Sequence, residues 1–207
     1  MTAGTVIRSF ASLGTRPFGL AWDGRTLWHC DYNNRLIYQI DPTSGTVLRS
    51  FASPGANPGG LAWDGRTLWH CDYNIQLIYQ IDPASGTVIR SFASPGAYPM
   101  GLAWDGRTLW HCGYGVQLIY QIDPVSGTVI RSFASPGAGP LCLAWDGRTL
   151  WHCGYGVQLI YQIDPASGTV IRSFASPGAY PLCLAWDGRT LWHCRDGVQL
   201  IYQLAVD

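Results

Sequence analysis

The sequence contains no lysine and no glutamate. Their absence excludes Schiff-base chemistry on a lysine, a phosphate-loop lysine and a glutamate general acid or base. Charged residues make up only 13% of the 207-residue chain, about half the usual share. Thirteen arginines balance thirteen aspartates, and the net charge is zero. Nothing in that balance attracts nucleic acid or an acidic membrane, so neither is expected as a partner. No stretch approaches the ~18 consecutive apolar residues of a membrane span. The opening MTAGTVIRSFAS has neither a charged-then-apolar leader nor a small-residue cleavage site. Seven cysteines are an odd number, unlike the paired framework of a secreted mini-domain, and this predicts a reducing, cytoplasmic setting.

What the chain has instead is repetition. The string WDGRTLWHC begins at Trp22, Trp63, Trp104, Trp145 and Trp186, 41 residues apart each time. Units start at Gly4, Gly45, Gly86, Gly127 and Gly168, and together they fill residues 1–207 as a single predicted domain. Each unit holds four short apolar runs separated by turn chemistry. In the first, Phe18–Trp22 leads to Asp23-Gly24, then come Thr26–Tyr32, Arg35–Ile40 and Thr46–Ala52. Runs of five to seven residues rich in Val, Ile, Trp, Tyr and Thr read as strands, and no segment carries a helical period. Hydrophobic residues are 47% of the chain and fall on both sides of the strands, as sheets packed face to face require.

This pattern predicts an all-β fold, a five-bladed β-propeller with four antiparallel strands per blade. A solenoid is the rival, but its end units would carry polar caps, and these do not. The chain opens on a fourth-strand sequence and closes after a third-strand one, so Thr5–Ala11 is predicted to complete the blade built from Leu184–Leu204.

The layout P-x-G-L-A-W-D-G-x-x-L-W-x-x-D-Y-x-x-x-I-Y-x-I-D-P-x-S-G resembles NHL, YVTN and SMP-30-like propeller repeats, and does so in every unit. The resemblance implies the architecture alone, because those families host binding proteins, lyases and lactonases alike. Near-identical units also resemble engineered symmetric propellers, whereas the drift between them is what recent natural amplification leaves.

Candidate chemistry is sparse. His29, His70, His111, His152 and His193 recur once per unit on the second strand. If their Cα atoms lie ~12 Å from the axis, neighbours are ~14 Å apart, beyond reach of a common ion. They read as histidines buried between blades and bonded to a neighbouring hydroxyl or backbone group. Cys30, Cys71, Cys112, Cys153 and Cys194 read as buried, inert thiols. Cys142 and Cys183 stand where the other units have Gly19, Gly60 and Gly101. With the right hairpin register they face Cys153 and Cys194, which would make a redox pair or soft-metal site. Asp23 and Arg25, with their copies, form rings at one channel mouth, where they either pair around the ring or cap their own turns. Arg8 and its copies mark outer, edge strands. No nucleophile elbow is present, and five equivalent sets of residues suit a catalyst poorly.

Differences between units concentrate in two loops on one face of the predicted disc. One holds Arg16, Asn57, Tyr98, Gly139 and Tyr180, followed by Phe18, Gly59, Met100, Leu141 and Leu182. The other holds Asp31, Asp72, Gly113, Gly154 and Arg195, with Tyr32 replaced by Asp196 in the last unit. The WDGRT loops opposite do not vary. A ligand is therefore expected on the variable face, touching Arg16, Asn57, Tyr98, Tyr180, Asp31, Asp72 and Arg195. The predicted function is a non-enzymatic binding scaffold, a monomer with several similar sites for a sugar or short peptide, and with no cofactor or metal. Two alternatives stand beside it: a metal-assisted lyase or hydrolase centred on the channel, and a symmetric propeller with no selected function beyond folding.

Overall fold

Asp23 closes its hairpin turn with its own side chain. Its carboxylate accepts the N–H groups of Arg25 at 2.9 Å and Thr26 at 2.6 Å. Gly24 takes a φ of +95°, which a side chain would oppose. The same turn recurs four times in the computed structural model, which describes residues 1–207. It joins the first two strands of each sheet.

Strand β1 (Val6–Ala11) comes first, and the first full blade follows as β2 (Pro17–Trp22), β3 (Leu27–Asp31), β4 (Leu36–Ile40) and β5 (Val47–Ala52). The second is β6 (Pro58–Trp63), β7 (Leu68–Asp72), β8 (Leu77–Ile81) and β9 (Val88–Ala93). The third is β10 (Pro99–Trp104), β11 (Leu109–Gly113), β12 (Val116–Ile122) and β13 (Val129–Ala134). The fourth is β14 (Pro140–Trp145), β15 (Leu150–Gly154), β16 (Leu159–Ile163) and β17 (Val170–Ala175). Strands β18 (Pro181–Trp186), β19 (Leu191–Arg195) and β20 (Val198–Leu204) form the last blade, and β1 completes it. All five sheets are antiparallel, four of them meanders and the fifth completed by β1, arranged as a five-bladed propeller. Ser9 lies opposite Tyr202 and Phe10 opposite Ile201, so the ring closes as the sequence predicts. No helix is long and apolar enough to cross a membrane.

Both faces of each blade are buried. Ala21, Trp28, Cys30 and Ile37 of the first blade pack against Leu61, Leu68, Tyr79 and Ile81 of the second. Leu27 and Trp28 are adjacent in sequence, point opposite ways, and are 0% and 1% exposed. On the outer strands, Arg49 lies 5.2 Å over the Trp28 ring and donates to Gln39 at 2.8 Å. Phe51 tilts against the same indole. The arginines read from sequence as edge markers therefore also cover the core tryptophans.

The histidines tie one blade to the next. His70 is fully buried, with Nδ1 3.1 Å from the Gly60 carbonyl and Nε2 3.0 Å from the Ser53 hydroxyl. A carbonyl can only accept, so Nδ1 carries the hydrogen and Nε2 accepts from the serine. Ser12 and His29 make the same bond across the closing seam, at 3.2 Å. Burial pushes all five imidazoles down to about 4, leaving them neutral at pH 7.

The cysteines depart from the sequence reading. Cys30, Cys71 and Cys112 are buried free thiols, and burial pushes Cys30 and Cys112 up to about 12. Cys142–Cys153 and Cys183–Cys194, however, are disulfides, with Cα atoms 5.4 and 5.2 Å apart. The expectation of an inert thiol is corrected for Cys153 and Cys194, and the pairing with Cys142 and Cys183 that the hairpin register left open is realised. A Cβ on Gly19 would lie 2.9 Å from Cys30 Sγ, and one on Gly101 2.6 Å from Cys112 Sγ. Glycine fits opposite a thiol there, and a second cysteine fits by bonding to it.

Three outcomes test this architecture. Deleting residues 1–12 should lower the melting temperature by roughly 10 °C or more, or force dimerisation by strand exchange; an unchanged monomeric melting curve would refute the closure. Thiol titration in denaturant should find three reactive thiols without reductant and seven with it. Finally, the unfolded chain binds protons on histidine near pH 6.5 while the folded one does not until about 4. Stability should therefore fall as pH drops through that window, by up to about 1.4 kcal/mol per histidine per pH unit. Denaturant melts at pH 7, 6 and 5 measure it, and equal midpoints would contradict neutral buried imidazoles.

Candidate functional site

The two faces of the disc differ in what their polar groups are free to do. On the WDGRT face each aspartate is spent on its own turn. Besides the turn amides, Asp23 accepts from Trp28 Nε1 at 2.9 Å and Gln39 Nε2 at 3.3 Å. Burial raises its carboxyl, but the hydrogen bonds from Thr26, Arg25 and Trp28 outweigh this and hold it below the usual carboxylate value. Arg25 is exposed and forms no ion pair, so the ring caps its turns and does not pair Asp with Arg. The channel behind it is lined by Leu20, Ala21, Trp22 and their copies and encloses about 70 Å³. Farther in, Gly19 and Leu20 with their equivalents narrow it to about 10 Å³. No polar side chain lines either section, and no three His, Cys, Asp or Glu side chains cluster as a metal site anywhere in the chain.

The variable face opens into a bowl of about 380 Å³. One residue per blade forms its wall: Tyr32, Tyr73, Tyr114, Tyr155 and, in the last blade, Asp196. Phe18, Met100, Leu141 and Leu182 form its floor, and Arg16 enters from the rim. Each wall residue is positioned by its backbone. The N–H of Tyr32 donates to Arg16 O at 3.0 Å, Tyr73 to Asn57 O at 2.9 Å and Asp196 to Tyr180 O at 3.0 Å. The wall therefore keeps the five-fold geometry of the sheets beneath it.

Side chains then meet across the seams between blades. The Asn57 amide donates to Tyr32 Oη at 2.7 Å. Tyr98 stacks on Tyr73 with ring centres 4.9 Å apart, and Tyr180 stacks on Tyr155 at 4.8 Å. At Gly139 the Tyr114 ring fills the place a side chain would take and meets the Tyr155 ring edge-on at 6.0 Å. At the closing seam Arg16 and Asp196 share the bowl without forming an ion pair. The Arg16 guanidinium lies 5.0 Å over Tyr32 and 5.7 Å over Phe18. Burial, with Tyr98, Tyr114 and Tyr32 close by, raises the Tyr73 phenol.

The seven residues expected to touch a ligand do not converge on one surface. Arg16 lines the bowl. Asn57, Tyr98 and Tyr180 stand behind the wall as seam partners. Asp31 and Asp72 are fully buried, and their carboxylates are taken by backbone amides. Asp31 accepts from Arg16, Asn33 and Asn34, and Asp72 from Asn57, Asn74 and Ile75. Arg195 packs against Gly178 with its Nε buried and unpartnered. The wall tyrosines hardly vary between units, so differences between units do not point to them. The available signal was the exchange of Tyr32 for Asp196 at one repeat position.

No protein-family model matches the chain, and no curated protein does either. Among solved structures, glutaminyl cyclase from Myxococcus xanthus superposes with a TM-score of 0.84 over 98% of this chain and 96% of its own, at 16% identity. Virginiamycin B lyase from Staphylococcus aureus gives 0.59 over 96% of this chain and 69% of its own, at 20% identity. The WD40 propeller domain of Doa1 gives 0.62 over 91% and 63%, at 12% identity. At such identities the likeness concerns the fold alone: this chain is an all-β propeller of five near-identical blades.

Proposed function

We propose that the chain is a non-enzymatic binding module that holds a small ligand or short peptide in the bowl on its variable face. One observation carries this reading: a cavity of about 380 Å³, within the usual range for small-molecule sites, is walled by four tyrosines and closed by Arg16 and Asp196. Tyrosines present large, rigid contact area at low entropic cost, while the two charges supply orientation. The structure of the rest of the molecule favours binding over catalysis. The histidines are buried and neutral, the Asp23-type carboxylates are saturated by their turns, and the throat below the bowl carries no polar side chain. A lyase or hydrolase centred on that throat would need donors that its wall does not carry.

Replacing Tyr73, Tyr114 and Tyr155 together by alanine tests the reading. Tyr114 and Tyr155 are 42% and 41% exposed, so the cost in stability should stay near about 0.5 kcal/mol at each of them, with a larger cost at Tyr73, which packs against the core. On glycan and peptide arrays, any ligand of the parent should lose at least tenfold in binding to the variant. Replacing Arg107 and Arg148 on the opposite face should change nothing. A ligand retained by the tyrosine variant would place the site elsewhere.

A further inference from the structure

Resting on that reading, we infer that the group lodged in the bowl is a methylated ammonium, a bulky and weakly hydrated cation set against tyrosine faces beside Asp196. The bowl already holds a cation of its own. Arg16 lays its guanidinium over the Tyr32 and Phe18 rings at 5.0 and 5.7 Å, within the ~6 Å range of cation–π attraction. Those ring faces are thus turned towards positive charge, while Tyr73, Tyr114 and Tyr155 complete the wall around the rest of the cavity.

Three further features narrow the chemistry. First, apart from Arg16 and Asp196, every lining residue is aromatic or aliphatic. A bare ammonium would bring several N–H donors, for which the wall offers acceptors only at Asp196 and the tyrosine hydroxyls. Methyl groups on nitrogen remove those donors and keep the charge. Second, the one wall position that is not tyrosine is a carboxylate. Asp196 Oδ1 accepts from Gly197 N at 2.9 Å, and Oδ2 has no partner within the protein. Third, Tyr98 and Tyr180 stack behind Tyr73 and Tyr155, so these two walls are fixed before a ligand arrives. Arg16 and Asp196 cancel in net charge, which makes Arg16 the internal competitor of an incoming cation.

The test compares choline with 3,3-dimethylbutan-1-ol, its uncharged carbon isostere, by calorimetric or NMR titration of the full chain. A second arm uses a peptide bearing trimethyllysine and the same peptide unmethylated, which separates a free small molecule from a side chain as the source. Choline or the trimethyllysine peptide should bind saturably and at least tenfold tighter than its control. Two variants borrow residues from equivalent positions in other blades and so suit the fold. Arg16→Gly, matching Gly139, should tighten cation binding roughly five- to tenfold by removing one positive charge from the bowl. Asp196→Tyr, matching the other four wall positions, should weaken it by a similar factor. Equal binding of choline and its isostere, weaker binding by Arg16→Gly, or no saturable binding of either cation overturns this inference. Each leaves the bowl standing as a site for another ligand. The wider reading fails separately, when array ligands ignore the tyrosine variant.

Discussion

Each blade has two apolar faces and can bury neither of them alone. Trp28 and Leu27 leave the same strand in opposite directions, and both are sealed by a neighbouring blade. A stack with two ends would leave one tryptophan-lined face in water at each end, at ~25 cal/mol per Å² of apolar surface. Closing the ring is the one arrangement in which every face is covered, and it sets the role of the chain's first strand. It also creates the bowl. The wall takes one residue from each blade, so no fragment short of the whole ring presents it.

A chain this poor in charge must dispose of each charge it has. The aspartates of the WDGRT turns accept backbone amides and an indole N–H. The outer-strand arginines lie flat on core tryptophans and bond glutamine, a neutral acceptor, so they need no carboxylate. The histidines are kept neutral by burial and by a serine and a carbonyl. A single ion pair, Arg172–Asp207 at 3.6 Å, remains, and it is exposed and screened. Arg16 and Asp196 stand out against that background as charges gathered into one cavity and left unpaired there.

The fold was legible because the repeat supplied five readings of the same unit. Turn residues bracketed each strand: Asp23-Gly24 ended β2 at Trp22, and Asp41-Pro42 ended β4 at Ile40. The site was less so, because loop variation has two physical origins that sequence does not separate. Asp31 and Asp72 differ from Gly113 and Gly154 because the loop itself is rebuilt. Where the aspartate caps it, Arg16 and Asn57 donate their N–H groups to the carboxylate. Without the aspartate, the equivalent Tyr98 and Gly139 adopt φ values of +54° and +58°. Asn57 and Tyr98 differ for another reason: each is matched to the tyrosine across its seam. The sequence brings Cys142 opposite Cys153 in one hairpin register only, and the slip between Pro140 and Cys142 is what sets that register.

Symmetry also bears on how many ligands one molecule can hold. Repeated loops suggest several similar sites around the disc. Yet the side chains that face outwards at the seams are engaged with one another, whereas the wall residues all turn to the axis and enclose a common volume. Under the proposed reading a ligand in that volume would be shared by the blades, one per ring. An axial ligand would meet five-fold chemistry only if the wall were uniform. Here one position in five is a carboxylate and the rim beside it carries an arginine, so the bowl has a polar side and an aromatic side. That asymmetry gives an otherwise rotationally repetitive surface a single preferred orientation for whatever it binds.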